Sequence, residues 1–308
     1  MDLYHPRGNV MLSFLPGPVR GVLAFLLYIA NTAFWIGPLV LFSILKLIIP
    51  FQFWQYLSRI IIDFIATCWV DFNSFNLWLL QRIRIEARGL EALGKDMWYI
   101  VVSNHQSWVD ILILQKLFLR KIPFLKFFLK QELIWVPLMG VAWWALDFPF
   151  MKRYSSSFLE KNPHLRGKDI EITRKACEKF KTIPVSIVNF MEGTRYTPEK
   201  HLRQQSPFSH LLKPKAGGIA FILGSMGDMV TGIVNVTIAY PEGAKSFWQF
   251  LCGQVRQVKV NVELIPVSED IIGNYFEDEG FRERFQAWVN RLWGNKDKQL
   301  REMISQEN

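Results

Sequence analysis

The sequence predicts an α/β fold, a mixed β-sheet covered by helices, behind an N-terminal hydrophobic helical membrane anchor. Strand-like runs rich in β-branched residues recur from residue 83 onward, separated by helix-length segments. That alternation builds a sheet with covered faces. Ahead of it, residues 21–45 carry no charged side chain. Half of the 308 residues are hydrophobic and 15% are aromatic, with 12 Trp and 25 Phe, which suits a membrane–water interface. The change of texture divides the chain into residues 1–80, the anchoring helices, and 81–308, the α/β domain with a C-terminal amphipathic helix.

Taken in order, residues 21–45 lie between Arg20 and Lys46 and would make about 37 Å of helix, enough for a hydrocarbon core of about 30 Å. Gly37-Pro38 leaves a second arrangement open, a bent helix returning to one leaflet. A signal peptide fits less well, because the run is too long and Ala30 and Ala33 are mis-spaced for cleavage. Residues 60–80 contain Asp63 and Asp71, costly at a bilayer centre, so this stretch is expected to pack on the first helix or lie at the interface. Arg7 and Arg20 before the first helix, with Lys46 and Arg59 after it, leave its orientation undecided.

In the second part, residues 83–87 alternate apolar and polar, as a half-buried strand does. Residues 97–103, 185–191, 232–240 and 257–264 are further strands; 108–119, 168–182 and 217–224 are helices. Residues 279–306 read as an amphipathic helix with Phe281, Phe285, Trp288 and Leu292 on one face. Residues 124–150 are the most aromatic stretch. Such a segment suits a core helix as well as a surface that docks on lipid.

The net charge of +9, from 36 basic and 27 acidic residues, favours an anionic partner, a membrane surface or phosphorylated molecules. Nucleic acid competes, but no nucleic-acid motif appears and the apolar segments argue for lipid. Cys68, Cys177 and Cys252 show neither disulfide-framework nor metal-ligand spacing, which suits a reducing compartment.

Asn104-His105-Gln106-Ser107-Trp108-Val109-Asp110 follows the strand 97–103. Histidine is the usual side chain for taking a proton from an alcohol near neutral pH, and a carboxylate can fix its tautomer. Ser107 and Asp110 also fit a capping box ahead of Ile111, which leaves Asn104 and His105 unexplained. No third ligand stands at a spacing that would make a metal site of His105 and Asp110. Downstream, Val188-Asn189-Phe190-Met191-Glu192-Gly193-Thr194-Arg195 is a strand leading into a glycine turn with an arginine at its exit. Such a turn offers N–H groups and a guanidinium to a phosphate, although a strand-ending turn with a surface arginine is common.

Together, Asn-His-Gln-Ser-Trp-x-Asp and Phe-x-Glu-Gly-Thr-Arg resemble the 1-acylglycerol-3-phosphate acyltransferase family, whose first motif is His-x4-Asp. Residues 130–140, from Lys130 through Glu132, Leu133 and Pro137 to Gly140, fit the family's Lys-x-Glu-Leu-x3-Pro-x2-Gly. Phe150-Met151-Lys152-Arg153 stands where the family carries its second-motif arginine, and Lys215-Ala216-Gly217 resembles a later Lys-x-Gly. One element departs. The family often has Val-Pro-x-x-Pro late in the domain, and residues 233–241 keep only the final proline, Pro241. This form is similar to the branch holding bacterial inner-membrane relatives and lysocardiolipin-type acyltransferases, and it leaves the acyl acceptor open.

The resemblance implies the glycerolipid acyltransferase fold and transfer of a fatty acyl group from a thioester, acyl-CoA or acyl-carrier protein, to a lysophospholipid hydroxyl. His105 would be the base and Asp110 its partner. Lys130 would neutralise an oxyanion or a phosphate. Arg195, with the backbone at Gly193 and Thr194, would grip the acceptor's phosphate, helped by Arg153 and Lys215. Glu192 would orient Arg195 or a backbone turn. Taken singly, Lys130 and Arg153 read more simply as solvated or lipid-facing charges. The aromatic residues 124–150 could line an acyl groove. No cofactor is implied beyond the thioester co-substrate. The expected acceptor is 1-acylglycerol-3-phosphate, giving phosphatidate; lysophosphatidylglycerol or lysocardiolipin is the alternative, and a non-catalytic protein binding anionic membrane lipid the remote one. The implied location is a bacterial inner membrane, with the α/β domain facing the cytoplasm and no nucleic-acid partner.

Overall fold

The computed structural model describes residues 2–4, 12, 14–81, 83–151, 180 and 183–305. Strand β1 (Asp2–Tyr4) precedes two long helices, α1 (Gly17–Ile48) and α2 (Gln52–Leu80). Pro16 and Pro18 start α1, and the helix continues through Pro38. Pro50 lies in the turn that follows, where Trp54 Nε1 donates to the Leu45 carbonyl (3.1 Å) and Gln55 Nε2 to that of Ile49 (2.8 Å). The Leu45 carbonyl also accepts the Ile49 N–H, so Trp54 adds a second donor there, while Gln55 satisfies a carbonyl beyond the end of the helix. Both helices are long and apolar enough to cross a bilayer.

A polar seam joins the hairpin: Asn31 donates to Asn73 (2.9 Å) and to the Trp69 carbonyl, and Asn76 donates to the Ala24 carbonyl. The outer face of α1 exposes Phe25, Leu26, Phe34 and Leu41. The inner face of α2, with Ile62, Ala66, Leu77 and Leu80, enters the core of the α/β part. Asp63 lies 3.9 Å from Lys126, while Asp71 pairs with Arg120 and Lys46 with Asp147. The α2 carboxylates therefore turn toward the domain's cations and avoid lipid.

The rest of the chain runs β2 (Arg84–Arg88), β3 (Tyr99–Ser103), α3 (Val109–Phe118), β4 (Leu125–Phe127), β5 (Leu129–Lys130), a 3₁₀ turn (Gln131–Trp135), α4 (Met139–Ala145), β6 (Phe150–Met151) and β7 (Ser186–Phe190). Then come α5 (Pro198–Gln204), α6 (Ala216–Met226), β8 (Gly232–Ala239), α7 (Phe247–Leu251), β9 (Gln257–Pro266) and α8 (Glu279–Ser305). Among the described residues a seven-stranded sheet has the order β1-β2-β9-β8-β3-β7-β4. Strands β8, β3, β7 and β4 are mutually parallel, and β9 runs antiparallel to β8.

Every residue of β3 and β8 is buried, as expected of parallel strands covered on both faces. Val101 of β3 packs with the α2–α3 side, whereas Ile100 and Val102 pack with α6 and α8, so the strand's two-residue period sorts the two cores.

The strands expected at 97–103, 185–191, 232–240 and 257–264 form with slightly shifted ends. The aromatic stretch 124–150 is not one core helix. Pro137 and Pro149 interrupt it, and the chain makes three short strands and two short helical turns instead. Phe127 and Phe148 are buried, while Trp135 is 85% exposed. Gly140, the glycine of the Lys-x-Glu-Leu motif, packs so closely that a Cβ there would lie 1.9 Å from the Ile134 carbonyl oxygen. The helix expected at 168–182 lies almost wholly outside the described residues. Along α8, Phe281, Phe285 and Leu292 are buried and Trp288 sits at the margin.

Candidate active site

Strands β8, β3 and β7 end at one edge of the sheet, and a chemically distinctive segment follows each. The carboxyl ends of parallel strands are the usual ligand crevice of such sheets. After β3, the buried Asn104 amide makes two 2.9 Å hydrogen bonds to Ile238 of β8, donating to its carbonyl and accepting from its N–H. A side chain thus prolongs the β3–β8 ladder and fixes the next residue, His105.

His105 Nδ1 lies 2.9 Å from Asp110 Oδ2, and Asp110 is fully buried. The same oxygen accepts the N–H groups of Gln106 (2.6 Å) and Ser107 (2.9 Å), and Tyr240, just past β8, donates its hydroxyl to Oδ1 at 2.5 Å. A carboxylate only accepts, so this network assigns the imidazole proton to Nδ1 and leaves Nε2 as the open nitrogen. Among the described residues Nε2 has no hydrogen-bond partner. The ring stacks on Phe190 at 4.0 Å between centroids and 16° between planes, and its side chain is 11% exposed. The capping box forms by half. Asp110 accepts from Ser107 N–H, but the Ser107 hydroxyl donates to the Lys245 carbonyl (2.8 Å), and Trp108 is the N-cap residue of α3.

Glu192 follows β7. Its two oxygens accept the backbone N–H groups of His105 (3.0 Å) and Leu212 (3.2 Å), and it is fully buried. It holds the backbone beneath the imidazole and that of the loop at Leu212. Burial pushes its carboxyl up to about 8, against the lowering effect of those two N–H groups. Lys296 of α8, also fully buried, is lowered to about 7 by burial, with Glu192 and Glu263 acting in the opposite sense.

Gly193 turns the chain with φ +66°, a conformation that favours glycine, and its N–H donates to the Phe190 carbonyl (2.9 Å). Arg195 is exposed, with its guanidinium 4.8 Å above the Trp108 ring. Lys215 precedes α6, and its side chain runs beside Gly193. Lys200 Nζ donates to the Thr194 hydroxyl (2.8 Å) and the Arg195 carbonyl (2.9 Å). Three cations therefore surround the 193–195 turn, next to the N-terminus of α6. A basic turn beside a helix start suits an anion.

Lys130 is exposed on β5, which pairs with β6 in a separate two-stranded sheet. Arg153 lies outside the described residues. No group of three metal-ligating side chains occurs among the described residues. Reading the sequence alone misses Asn104 as a strap, Lys200 and Tyr240. Lys200 had a local signal, since it falls in the first turn of a helix opened by Thr197-Pro198.

Residues 84–245, more than half of the chain, match the acyltransferase family profile. The chain is 32% identical over 117 residues to human 1-acyl-sn-glycerol-3-phosphate acyltransferase alpha, covering 38% of this chain and 36% of that protein. It is 26% identical over 210 residues to the mouse delta enzyme, covering 64% of this chain and 51% of that one. These matches span only about a third to a half of the curated relatives' length. The fold is similar to that of a 1-acyl-sn-glycerophosphate (LPA) acyltransferase from Thermotoga maritima, with a TM-score of 0.54 at 18% identity over 92% of this chain and 98% of that one. With a family match over most of the α/β part and a shared architecture, this chain belongs to the acyltransferase family.

Proposed function

We propose that the protein is an O-acyltransferase that moves a fatty acyl group from a thioester, acyl-CoA or acyl-carrier protein, to the free hydroxyl of 1-acylglycerol-3-phosphate. The observation that carries this is the 2.9 Å contact between His105 Nδ1 and Asp110, which among the described residues leaves Nε2 without a hydrogen-bond partner, just past the carboxyl end of β3. Nε2 takes the hydroxyl proton as the acceptor oxygen bonds to the thioester carbonyl carbon. Asp110 stabilises the imidazolium. The tetrahedral intermediate collapses as the C–S bond breaks, and the imidazolium returns its proton to the departing thiolate. The substrate alcohol is the nucleophile, so no covalent enzyme intermediate is required.

Arg195, on the turn that Lys200 orders, and Lys215, whose side chain runs beside that turn, face the acceptor's phosphate; Arg153 and Lys130 are further candidates for contacts to substrate. The apolar hairpin holds the domain on an anionic membrane, in keeping with a cytoplasmic-membrane location. Residues 1–80 serve as anchor and 81–308 as the catalytic part.

The test is thioester consumption with 1-acylglycerol-3-phosphate by wild type, His105→Ala and Asp110→Asn. His105→Ala should lose at least about a hundredfold in kcat, the lower range for a general base. Wild-type turnover by a folded His105→Ala would remove the base. A panel of lyso-acceptors ranked by kcat/KM then separates 1-acylglycerol-3-phosphate from lysophosphatidylglycerol and lysocardiolipin.

A further inference from the structure

We infer that Tyr240 is a positioning residue for the His105–Asp110 pair, its hydroxyl fixing the carboxylate from the side that the imidazole does not use. The inference rests on the reading of His105 as base. Among the described residues Asp110 has four donors. Three N–H groups converge on Oδ2, and the Tyr240 hydroxyl is the donor on Oδ1. Asp110 is 0% and Tyr240 3% exposed, so water cannot readily replace the phenol and the phenol cannot reach a substrate. Removing the hydroxyl leaves a buried carboxylate oxygen unpaired, free to rotate or to pull harder on the imidazole proton.

Strand β8 aims the phenol. Asn104 clamps Ile238, two residues earlier and on the same face, and the Gly243 N–H donates to the Tyr240 carbonyl (2.9 Å). The clamp and the phenol thus tie β8 to both ends of the His105–Asp110 segment. This gives a role to the place where residues 233–241 leave the family's Val-Pro-x-x-Pro pattern, for Tyr240 stands just before Pro241.

Among the neighbouring ionisable groups, Glu192 after β7 interacts with Asp110, Lys296 on α8 interacts with Glu192, and Arg195 lies over Trp108. Tyr240→Phe alters none of them. Burial, with Asp110 adding to it, holds the phenol well above its usual range, so it stays a donor throughout an activity profile.

The experiment measures kcat and KM against pH for wild type, Tyr240→Phe, Asp110→Asn and the double variant, using 1-acylglycerol-3-phosphate and acyl-CoA in detergent. Tyr240→Phe should lower kcat about tenfold, leave both KM values within about twofold, and move the acid limb of the kcat/KM profile up by about half a pH unit or more. In the Asp110→Asn background the same change should cost nothing further, because a residue acting through Asp110 loses its route. Replacing Tyr240 by 3-fluorotyrosine, a stronger donor of nearly the same shape, should move the acid limb down, and this arm decides the matter if Tyr240→Phe folds poorly. Unmoved acid limbs in both variants, or equal losses with and without Asp110, overturn the inference. Full activity in His105→Ala would instead overturn the reading of the site.

Discussion

Arg195 is held over Trp108 by the face of an indole that is itself 47% exposed, and this pairing separates two kinds of contribution at one turn. An exposed cation–π contact is worth about 0.5–1 kcal/mol, so Trp108→Ala should raise the acceptor's KM about two- to fivefold and leave kcat and Tm nearly unchanged. Arg195→Ala removes the charge itself and should cost about tenfold or more in acceptor KM, with little effect on the acyl donor. Initial rates over a grid of both substrates check these expectations. Equal effects on donor and acceptor would move Arg195 away from the phosphate. The meeting of His105 and Asp110 is legible in the sequence because both stand in one short segment after a strand. Asn104 as a strap and Tyr240 as a donor are not, because both roles depend on how β3 pairs with β8, a relation across about 130 residues that no local spacing encodes.

Helix α8 reaches the site through one face of its middle turns. Trp293 Nε1 donates to the Leu212 carbonyl (3.0 Å), Asp297 accepts the N–H groups of Ser209 (2.9 Å) and His210 (2.8 Å), and Lys296 donates to the Val236 carbonyl. The helix therefore braces the loop whose Leu212 N–H binds Glu192. Asp297→Ala strands two backbone donors and should cost about 1–3 kcal/mol of stability, read as a lowered Tm, and lower kcat through the loosened loop. A pH prediction also follows for Glu192. Its folded carboxyl is raised to about 8, so the stability it contributes is full below the ordinary value near 4.5 and is lost as pH rises through about 8. Lys296, lowered to about 7, has the opposite sense: its contribution is present above about 10.5 and is lost as pH falls through about 7. The Tm of wild type relative to Glu192→Gln should accordingly fall between pH 5 and 7, below the range where Lys296 begins to compensate; a flat difference would argue against a raised carboxyl. The amphipathic pattern of α8 is legible from its 3.6-residue period. Strands β4, β5 and β6 are not, since two or three residues hold no period, and they form only because β7 or one another supply partners.

At the scale of the molecule, the hairpin and the α/β part share one core. Leu77 and Leu80 of α2 pack with sheet residues, Gln81 donates to the Leu251 carbonyl (2.7 Å), and three ion pairs bridge helix to domain. A chain begun at residue 82 should uncover that apolar face and be recovered aggregated or with a Tm lowered by many degrees, as size-exclusion chromatography and thermal melts will show. A monomeric truncation as stable as the full chain would make the hairpin a detachable tether. The sequence marks α1 as lipid-facing from its missing charges, yet not the allegiance of α2 to the domain, because Asp63 and Asp71 find their cations only in the folded domain. The parallel strands carry one more consequence. His105 follows β3, Glu192, which braces its backbone, follows β7 and Tyr240, the donor to Asp110, follows β8, three ribbons far apart along the chain that are neighbours only once the sheet's middle has zipped in register. A half-assembled or slipped molecule has no working centre, so turnover itself certifies that nascent chains have finished folding.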